Sequence, residues 1–287
     1  MYTSNCFINK ADQLTRGVIE LIKYCGYKDE NPRPKYEDGA PAHTYSINHV
    51  VHEYDISHNE FPITSLRPIA VKSAIGEILW IYQDQSNSLD LLADKYNIHW
   101  WDSWDIGDRT IGCCYGETIR RHNLMNNLLE DIKNDPYGRR HIINMWQEDD
   151  FKKPHGLKPC CYQTVWNVRG EYLDMCLFQR SSDFLTAGNI NQIQYVALMM
   201  MVAKHCGYKP GKFTHFIANC QIYDRHIENA EEMDKRYCDI IYKKKTVTKP
   251  ILKLDTDKNN FYDFTVNDFK LENYNPIKPQ LKFELGI

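Results

Sequence analysis

Residues 189–207, "NINQIQYVALMMMVAKHCG", restrict this chain's architecture more than any other stretch. The middle is apolar on nearly every side, so a helix formed there has no solvent face and must be enclosed by other elements. Gly207 supplies a stop. The uninterrupted apolar part, Tyr195 to Ala203, is nine residues, about half of what spanning a bilayer needs, so a protein core must do the enclosing.

The walls of that core are legible upstream. "RRHIINMWQ" (139–147), "YQTVWNV" (162–168) and "EYLDMCLFQR" (171–180) are rich in β-branched and aromatic residues, and Arg169-Gly170 joins the last two tightly. They predict a hairpin with a neighbouring strand. "TYSINHVVHEYDI" alternates as a further strand, while "KSAIGEILWIYQ" (72–83) has helical spacing. "LTRGVIELIKYCG" predicts an opening helix, from Val18, Ile19, Leu21, Ile22 and Cys25, with Gly26 at its C-cap. Strands followed by helix, without strict alternation, favour an α+β fold over a doubly wound sheet.

Between these elements, "KDENPRPKYEDGAPAHT" (28–44) is dense in turn-forming residues and predicts a long surface loop, a kind of segment that is often functional. The tail, "FYDFTVNDFKLENYNPIKPQLKFELGI", predicts a strand and a terminal segment folded over a site. At 287 residues and 43% hydrophobic content the chain can bury one large core, and a single domain over 1–287 is expected. No internal repeat or low-complexity tract occurs.

Net charge is -3, and no long basic run or Arg/aromatic stripe suggests a surface that tracks nucleic acid; a small anionic ligand needs only a few arginines. "MYTSNCFINK" lacks the pattern of a secretory signal. Ten cysteines in a chain too large to need disulfide staples read as reduced thiols of a soluble, cytoplasmic protein.

Two of those cysteines are adjacent, in "GLKPCCYQTVW" (156–166). Adjacent sulfurs do not sit tetrahedrally about one ion, and no C-x2-C occurs, so no metal site is expected. A disulfide between neighbours would strain the peptide between them. Buried packing is the ordinary role of a free cysteine. Cys160, after a proline at the mouth of a strand, has a second reading as a nucleophile, with Arg180 supplying the charge that lowers a thiol pKa.

Arginine suits forked binding of phosphate oxygens. Arg33 in the loop, the pair Arg139 and Arg140, and Arg180 with Ser181 could hold one phosphomonoester together, though each alone could be an ordinary solvated side chain. Glu77 interrupts the apolar "AIGEILW", where it either turns to solvent or serves as a general acid or base through water. Trp100, Trp101 and Trp104 in "WWDSW" suit either a core or stacking on a flat ring.

"LKPC", then "LFQRSSD", then "GNINQIQY" resemble the thymidylate synthase family, of the folate-dependent, cysteine-nucleophile type. The resemblance covers nearly the whole chain, since "DGAPAHT", "GEILWIYQ", "WWDSWDIGDRTIGCCYG", "DPYGRRHI", "CQIYDRHIEN" and "FYDFTVNDFKLENY" follow in the family's order. It implies a homodimeric α+β enzyme, with a large mixed sheet that packs against helices and forms the dimer interface. The implied reaction methylates dUMP at C5, with carbon and hydride from 5,10-methylenetetrahydrofolate and without metal. DNA and membranes are not expected partners.

By the same resemblance, Cys160 falls at the nucleophile that attacks uracil C6. Arg180 and Ser181 match phosphate binders, Arg33 the mobile-loop arginine, and Arg139 with Arg140 the pair donated across the dimer interface. Glu77 and Tyr115 match a proton-transfer network, and Asn191 the amide that reads uracil O4 and N3. An amide offers that edge a donor and an acceptor, whereas an aspartate would favour cytosine. Trp101, Trp104 and Asp183 match residues around the folate ring, and Tyr223 a deoxyribose-binding tyrosine.

Several positions depart from the usual pattern. Cys161 stands for a common His, Arg67 for a common Lys, and Asn219 and Gln221 for the Asp and His of "GDxHxY". Thr186, Ala187 and Ile190 replace the Leu, Gly and Phe that line the folate pocket. A hydroxyl at Thr186 could hold a water, which leaves open a dUMP or dCMP hydroxymethylase, in which water traps the methylene. A third reading is an inactive nucleotide- or RNA-binding relative, against which intact Cys160 and Glu77 count.

Overall fold

The first helix, α1 (Lys10–Cys25), starts from Asn9, whose side-chain oxygen accepts the Ala11 N–H at 3.1 Å. It therefore begins before the apolar spacing that marks it. Gly26 ends it, though not by a left-handed turn: its φ is -66°, and a Cβ there would lie 2.3 Å from the Ile22 carbonyl oxygen. The computed structural model describes residues 8–243 and 249–287, so Cys6 and most of the stretch read for a signal segment lie outside the described residues.

The strands are β1 (Tyr27–Lys28), β2 (Thr44–Asp55), β3 (Ile142–Asn144), β4 (Cys161–Arg169), β5 (Tyr172–Asp183) and β6 (Lys209–Tyr223). They form one sheet in the order β1-β2-β6-β5-β4-β3. All neighbours are antiparallel except β5 and β6, which makes the sheet mixed. The predicted hairpin is β4–β5, turned at Gly170 with φ +61°, and β3 is its shorter neighbour. Parallel strands need a crossover, and the enclosed helix α6 (Asn189–Cys206) provides it between β5 and β6.

α6 packs on β5 and β6 and against α2 (Val71–Tyr82), which accounts for its all-round apolarity. Leu198, Met199, Met201 and Val202 are fully buried, and each such side chain stabilises the fold by roughly 1.5–3 kcal/mol relative to exposure. Gly207 closes the helix at φ +80°, in the left-handed region where glycine is favoured. Five residues before α6, Phe184–Gly188, form a π-helical turn. Such turns re-aim backbone and often accompany functional sites.

Helices α3 (Leu89–Tyr96), α4 (Gly116–Arg121) and α5 (Leu124–Asn134) extend the layer containing α2, and α7 (Ile227–Tyr242) packs on α1. A small second sheet pairs β7 (Ile251–Leu254) with β8 (Phe269–Glu272), the strand expected in the tail. The loop between β1 and β2 is tied down: Tyr36 and Ala42 are buried beside Tyr223, and Lys35 and Ile287 exchange two backbone hydrogen bonds of 2.8 and 2.9 Å. The C-terminus thus folds onto loop and strand end together. No helix among the described residues is long and apolar enough to cross a membrane.

Candidate active site

The end of β5, the start of β4, the π-turn and α6 converge beside α2 and the "WWDSW" segment. Cys160 precedes β4, and its backbone N–H donates to the Tyr115 hydroxyl at 3.0 Å. Arg180 on β5 clamps the same segment: Nε donates to the Pro159 carbonyl at 3.0 Å, Nη2 to that of Lys158 at 2.9 Å, and its N–H to that of Cys160 at 2.9 Å. Three peptide carbonyls before the strand are therefore spoken for by one residue.

Arg180 does not produce a low thiol pKa by itself. Burial pushes the Cys160 thiol up, and the Arg180 charge and Tyr115 hydrogen bond only partly oppose it. The expected lowering is thus corrected: in the unliganded chain desolvation outweighs the arginine. Cys161 is buried, with its thiol raised well above the ordinary value, again by burial, so it packs.

Tyr115 sits at φ +48° and ψ -113°, a conformation unfavourable for a residue with a side chain. Its ring is edge-on to Trp101, 5.0 Å between centroids, and Trp101 is 5.3 Å from Trp104. The strain is held in place by this aromatic packing, and it aims the hydroxyl at Cys160.

Glu77 faces inward from α2. Its Oε2 accepts the Trp100 indole N–H at 2.5 Å. Burial raises its pKa to about 7, opposed by Trp101, Gln194 and Trp100. The solvent-facing alternative is therefore excluded, and a carboxyl that changes charge near neutrality lies against the aromatic cluster. Sequence reasoning passed over Gln194 and the Trp100 hydrogen bond; the signal available was a glutamine within an otherwise apolar face of α6.

Asn191 donates to Gln194 Oε1 at 3.0 Å and accepts from Gln179 Nε2 at 3.2 Å. This links the first turn of α6 to Gln194, one of the groups that oppose the rise of the Glu77 pKa. Tyr223, at the end of β6, has its hydroxyl pKa raised to about 12, by burial first and then by the charges of Asp183 and Cys160, with Arg33 opposing. Those three side chains, from three separate segments, therefore act on it electrostatically. Ser181 pairs in register with Asn219, and Gln221 lies opposite Asp183.

Asp183 and Thr186 are half-buried residues whose side-chain oxygens are shielded from solvent, and Asp183 Oδ1 lies 3.9 Å from His226 Nδ1. Burial raises the Asp183 pKa, opposed by His226, Thr186 and Arg67. Arg67, itself buried, donates to the carbonyls of Leu185 at 2.5 Å and Thr186 at 3.4 Å, and so holds the π-turn. Burial lowers its pKa to about 10. Ala187 is half-buried in that turn, and Ile190 packs on the main core.

Arg33, Arg139 and Arg140 are exposed. The last two lie between α5 and β3, and no hydrogen bond or ion pair of theirs joins the Cys160 segment among the described residues. Nor does any group of three or more His, Cys, Asp or Glu there have the arrangement to hold a metal ion.

The thymidylate synthase family profile matches residues 17–287. A thymidylate synthase of Streptococcus sanguinis is 49% identical over 282 residues, covering 96% of this chain and 99% of that protein. One of Streptococcus pneumoniae is 48% identical over 286 residues, covering 98% and 100%. The solved thermostable thymidylate synthase A from Bacillus subtilis superposes with a TM-score of 0.87 at 33% identity, covering 96% of this chain and 99% of that one. With these segments in order and this arrangement of Cys160, Arg180 and Glu77, the chain belongs to the thymidylate synthase family.

Proposed function

We propose that this chain is a thymidylate synthase that converts dUMP to dTMP, with residues 1–287 as one catalytic domain. The observation carrying the assignment of roles is the clamping of Cys160 between Arg180 and Tyr115, within a chain of contacts that reaches Glu77 and Asn191. Cys160 is the nucleophile. Its thiolate adds to uracil C6, and the C5=C6 electron pair moves toward O4, making C5 carbon-nucleophilic. Because burial holds the free thiol protonated, added positive charge or a proton acceptor at the site is needed for the thiolate.

Arg180, Ser181, Arg33, Arg139 and Arg140 bind the phosphate, Gln221 and Tyr223 the sugar, and Asn191 the base. Asp183 serves nucleotide and folate sides alike. Glu77 and Tyr115 handle protons, supported for Glu77 by a pKa near neutrality. Trp101, Trp104, Asp183, Thr186, Ala187 and Ile190 would hold 5,10-methylenetetrahydrofolate, a role that the solvent-shielded oxygens of Asp183 and Thr186 support. When bound, the folate supplies the carbon and the hydride.

The working form is read as a homodimer. Phe178 and Phe216, 5.9 Å apart, lie with the exposed Val51 on the sheet face opposite Leu177 and Phe213, an apolar surface suited to a second copy. Arg139 and Arg140, exposed and unpaired in one chain, would complete the partner's phosphate site. The cytoplasm is the proposed location, supported by nine free cysteines among the described residues.

Purified protein given dUMP and methylenetetrahydrofolate is expected to form dTMP and dihydrofolate in equal amounts. A hydroxymethylated nucleotide with tetrahydrofolate, or no turnover, would overturn the reading.

A further inference from the structure

The amide of Asn191 is held in one orientation, and the constraint can be traced to a backbone carbonyl. The Ser181 carbonyl can only accept, and Gln179 Nε2 lies 2.9 Å from it, so the NH2 end of Gln179 must face that way. The second N–H of the same nitrogen reaches Asn191 Oδ1 at 3.2 Å, and Asn191 Nδ2 donates to Gln194 Oε1 at 3.0 Å. Each end of the Asn191 amide then retains one hydrogen-bonding position. One lone pair and one N–H remain, at fixed places.

This matters for base choice. Uracil presents N3–H and O4, a donor and an acceptor; cytosine presents the reverse order, an N3 lone pair and N4–H2. An asparagine free to rotate its amide by half a turn fits both, whereas an amide fixed by Gln179 and Gln194 fits one.

A second restraint on Gln179, acting on the other end of its amide, lies beneath it in the core. Its Oε1 faces His215 Nε2 at 2.8 Å, so that ring nitrogen carries the proton. His215 Nδ1 lies 3.2 Å from Gln192 Nε2 and must accept. The other N–H of Gln192 goes to His52 Nδ1 at 2.9 Å, and the Tyr54 hydroxyl donates to Gln192 Oε1 at 3.3 Å. Every group in the series has one consistent role only when both histidines are neutral. Both are buried, and burial lowers their pKa values, His52 to about 4 and His215 well below the usual range. Without the His215 donor, Gln179 Oε1 is a buried, unpaired acceptor, and its amide gains a reason to turn.

We propose that His215 is a positioning residue that sets the preference for uracil over cytosine, acting through Gln179 on Asn191. This rests on the reading of the site as a dUMP pocket. The test measures binding of dUMP and of dCMP to the full-length protein, to His215→Phe, which keeps volume but removes the donor, and to His215→Gln, which can donate from a similar place. The wild type should prefer dUMP. His215→Phe should lose at least about tenfold of that preference, equivalent to about 1.4 kcal/mol, and His215→Gln should recover most of it, although both variants melt lower.

A preference retained in His215→Phe overturns the positioning role alone. A wild type that binds dCMP as tightly as dUMP overturns the dUMP reading and this proposal with it. If His215→Phe does not fold, nitrogen NMR of labelled histidine in the wild type decides: a neutral ring protonated at Nε2 between about pH 5 and 8 supports the proposal, and a proton on Nδ1 or a charged ring overturns it.

Discussion

The Tyr115 hydroxyl accepts the backbone N–H of Cys160 at 3.0 Å, from a residue whose own backbone is strained at φ +48°. Strain at a residue joined to the proposed nucleophile points to a requirement on placement. Tyr115→Phe keeps the ring packing against Trp101 and removes the hydroxyl. It should lower kcat by about ten- to a hundredfold while leaving dUMP affinity within a few-fold. Steady-state kinetics with a dUMP binding isotherm check this, and a variant with wild-type kcat argues against a positioning role.

Cys160→Ser is expected to bind dUMP but to form no covalent complex with 5-fluoro-dUMP, and to lose about a thousandfold or more in turnover. Cys161→Ser, by contrast, should still form the complex, because that thiol is buried in packing. Denaturing electrophoresis of the adduct distinguishes the two cysteines. Full activity in Cys160→Ser would remove the nucleophile from the scheme.

Much of this was legible in the chain, and the illegible part has physical causes. α6 could be read because a helix without a polar face has one solution, enclosure, and Gly207 ends it in the left-handed conformation expected of glycine. The β2–β6 pairing could not be read, since it joins strands far apart in sequence. The sequence leaves Glu77 between solvent and site because helical spacing does not say which neighbours cover a face; its burial and the Trp100 hydrogen bond decide it. The thiol of Cys160 was expected to be lowered by Arg180, but sequence carries no measure of desolvation, which proves the larger effect. Gln179 reads as an ordinary strand position and His215 falls in a stretch to which sequence reasoning assigns no element; only the fold brings them to Asn191.

Glu77 also has a pH signature in stability. Folding raises its pKa from 4.5 to about 7, so between those values the folded chain binds more protons than the unfolded one, and stability falls as pH rises. The full loss, about 3 kcal/mol, is reached above the folded value. Glu77→Gln lacks that loss. Its melting temperature should gain on the wild type as pH goes from about 5 to 8, even as turnover falls, and a difference constant across that range would contradict the buried carboxyl.

Thr186 presents a hydroxyl shielded from solvent in the π-turn, beside the carboxylate of Asp183. Thr186→Val is nearly isosteric. If the hydroxyl contacts the folate, the variant should raise the KM for methylenetetrahydrofolate by about three- to tenfold and leave dUMP affinity unchanged. An unchanged folate KM would assign that part of the pocket to something else.

The cross-dimer role of Arg139 and Arg140 has a distinctive consequence. If each site takes Cys160 from one chain and Arg140 from the other, Arg140→Ala and Cys160→Ser homodimers are each defective at both sites. A mixed dimer pairs both substitutions in one site and leaves the other intact. After subunit exchange between equal amounts, activity should rise to about a quarter of wild type, since half the dimers are mixed and half of their sites are whole. Sedimentation establishes the dimer, and exchange followed by assay tests the donation. No recovery from folded, exchanging variants would place Arg140 outside the partner's site.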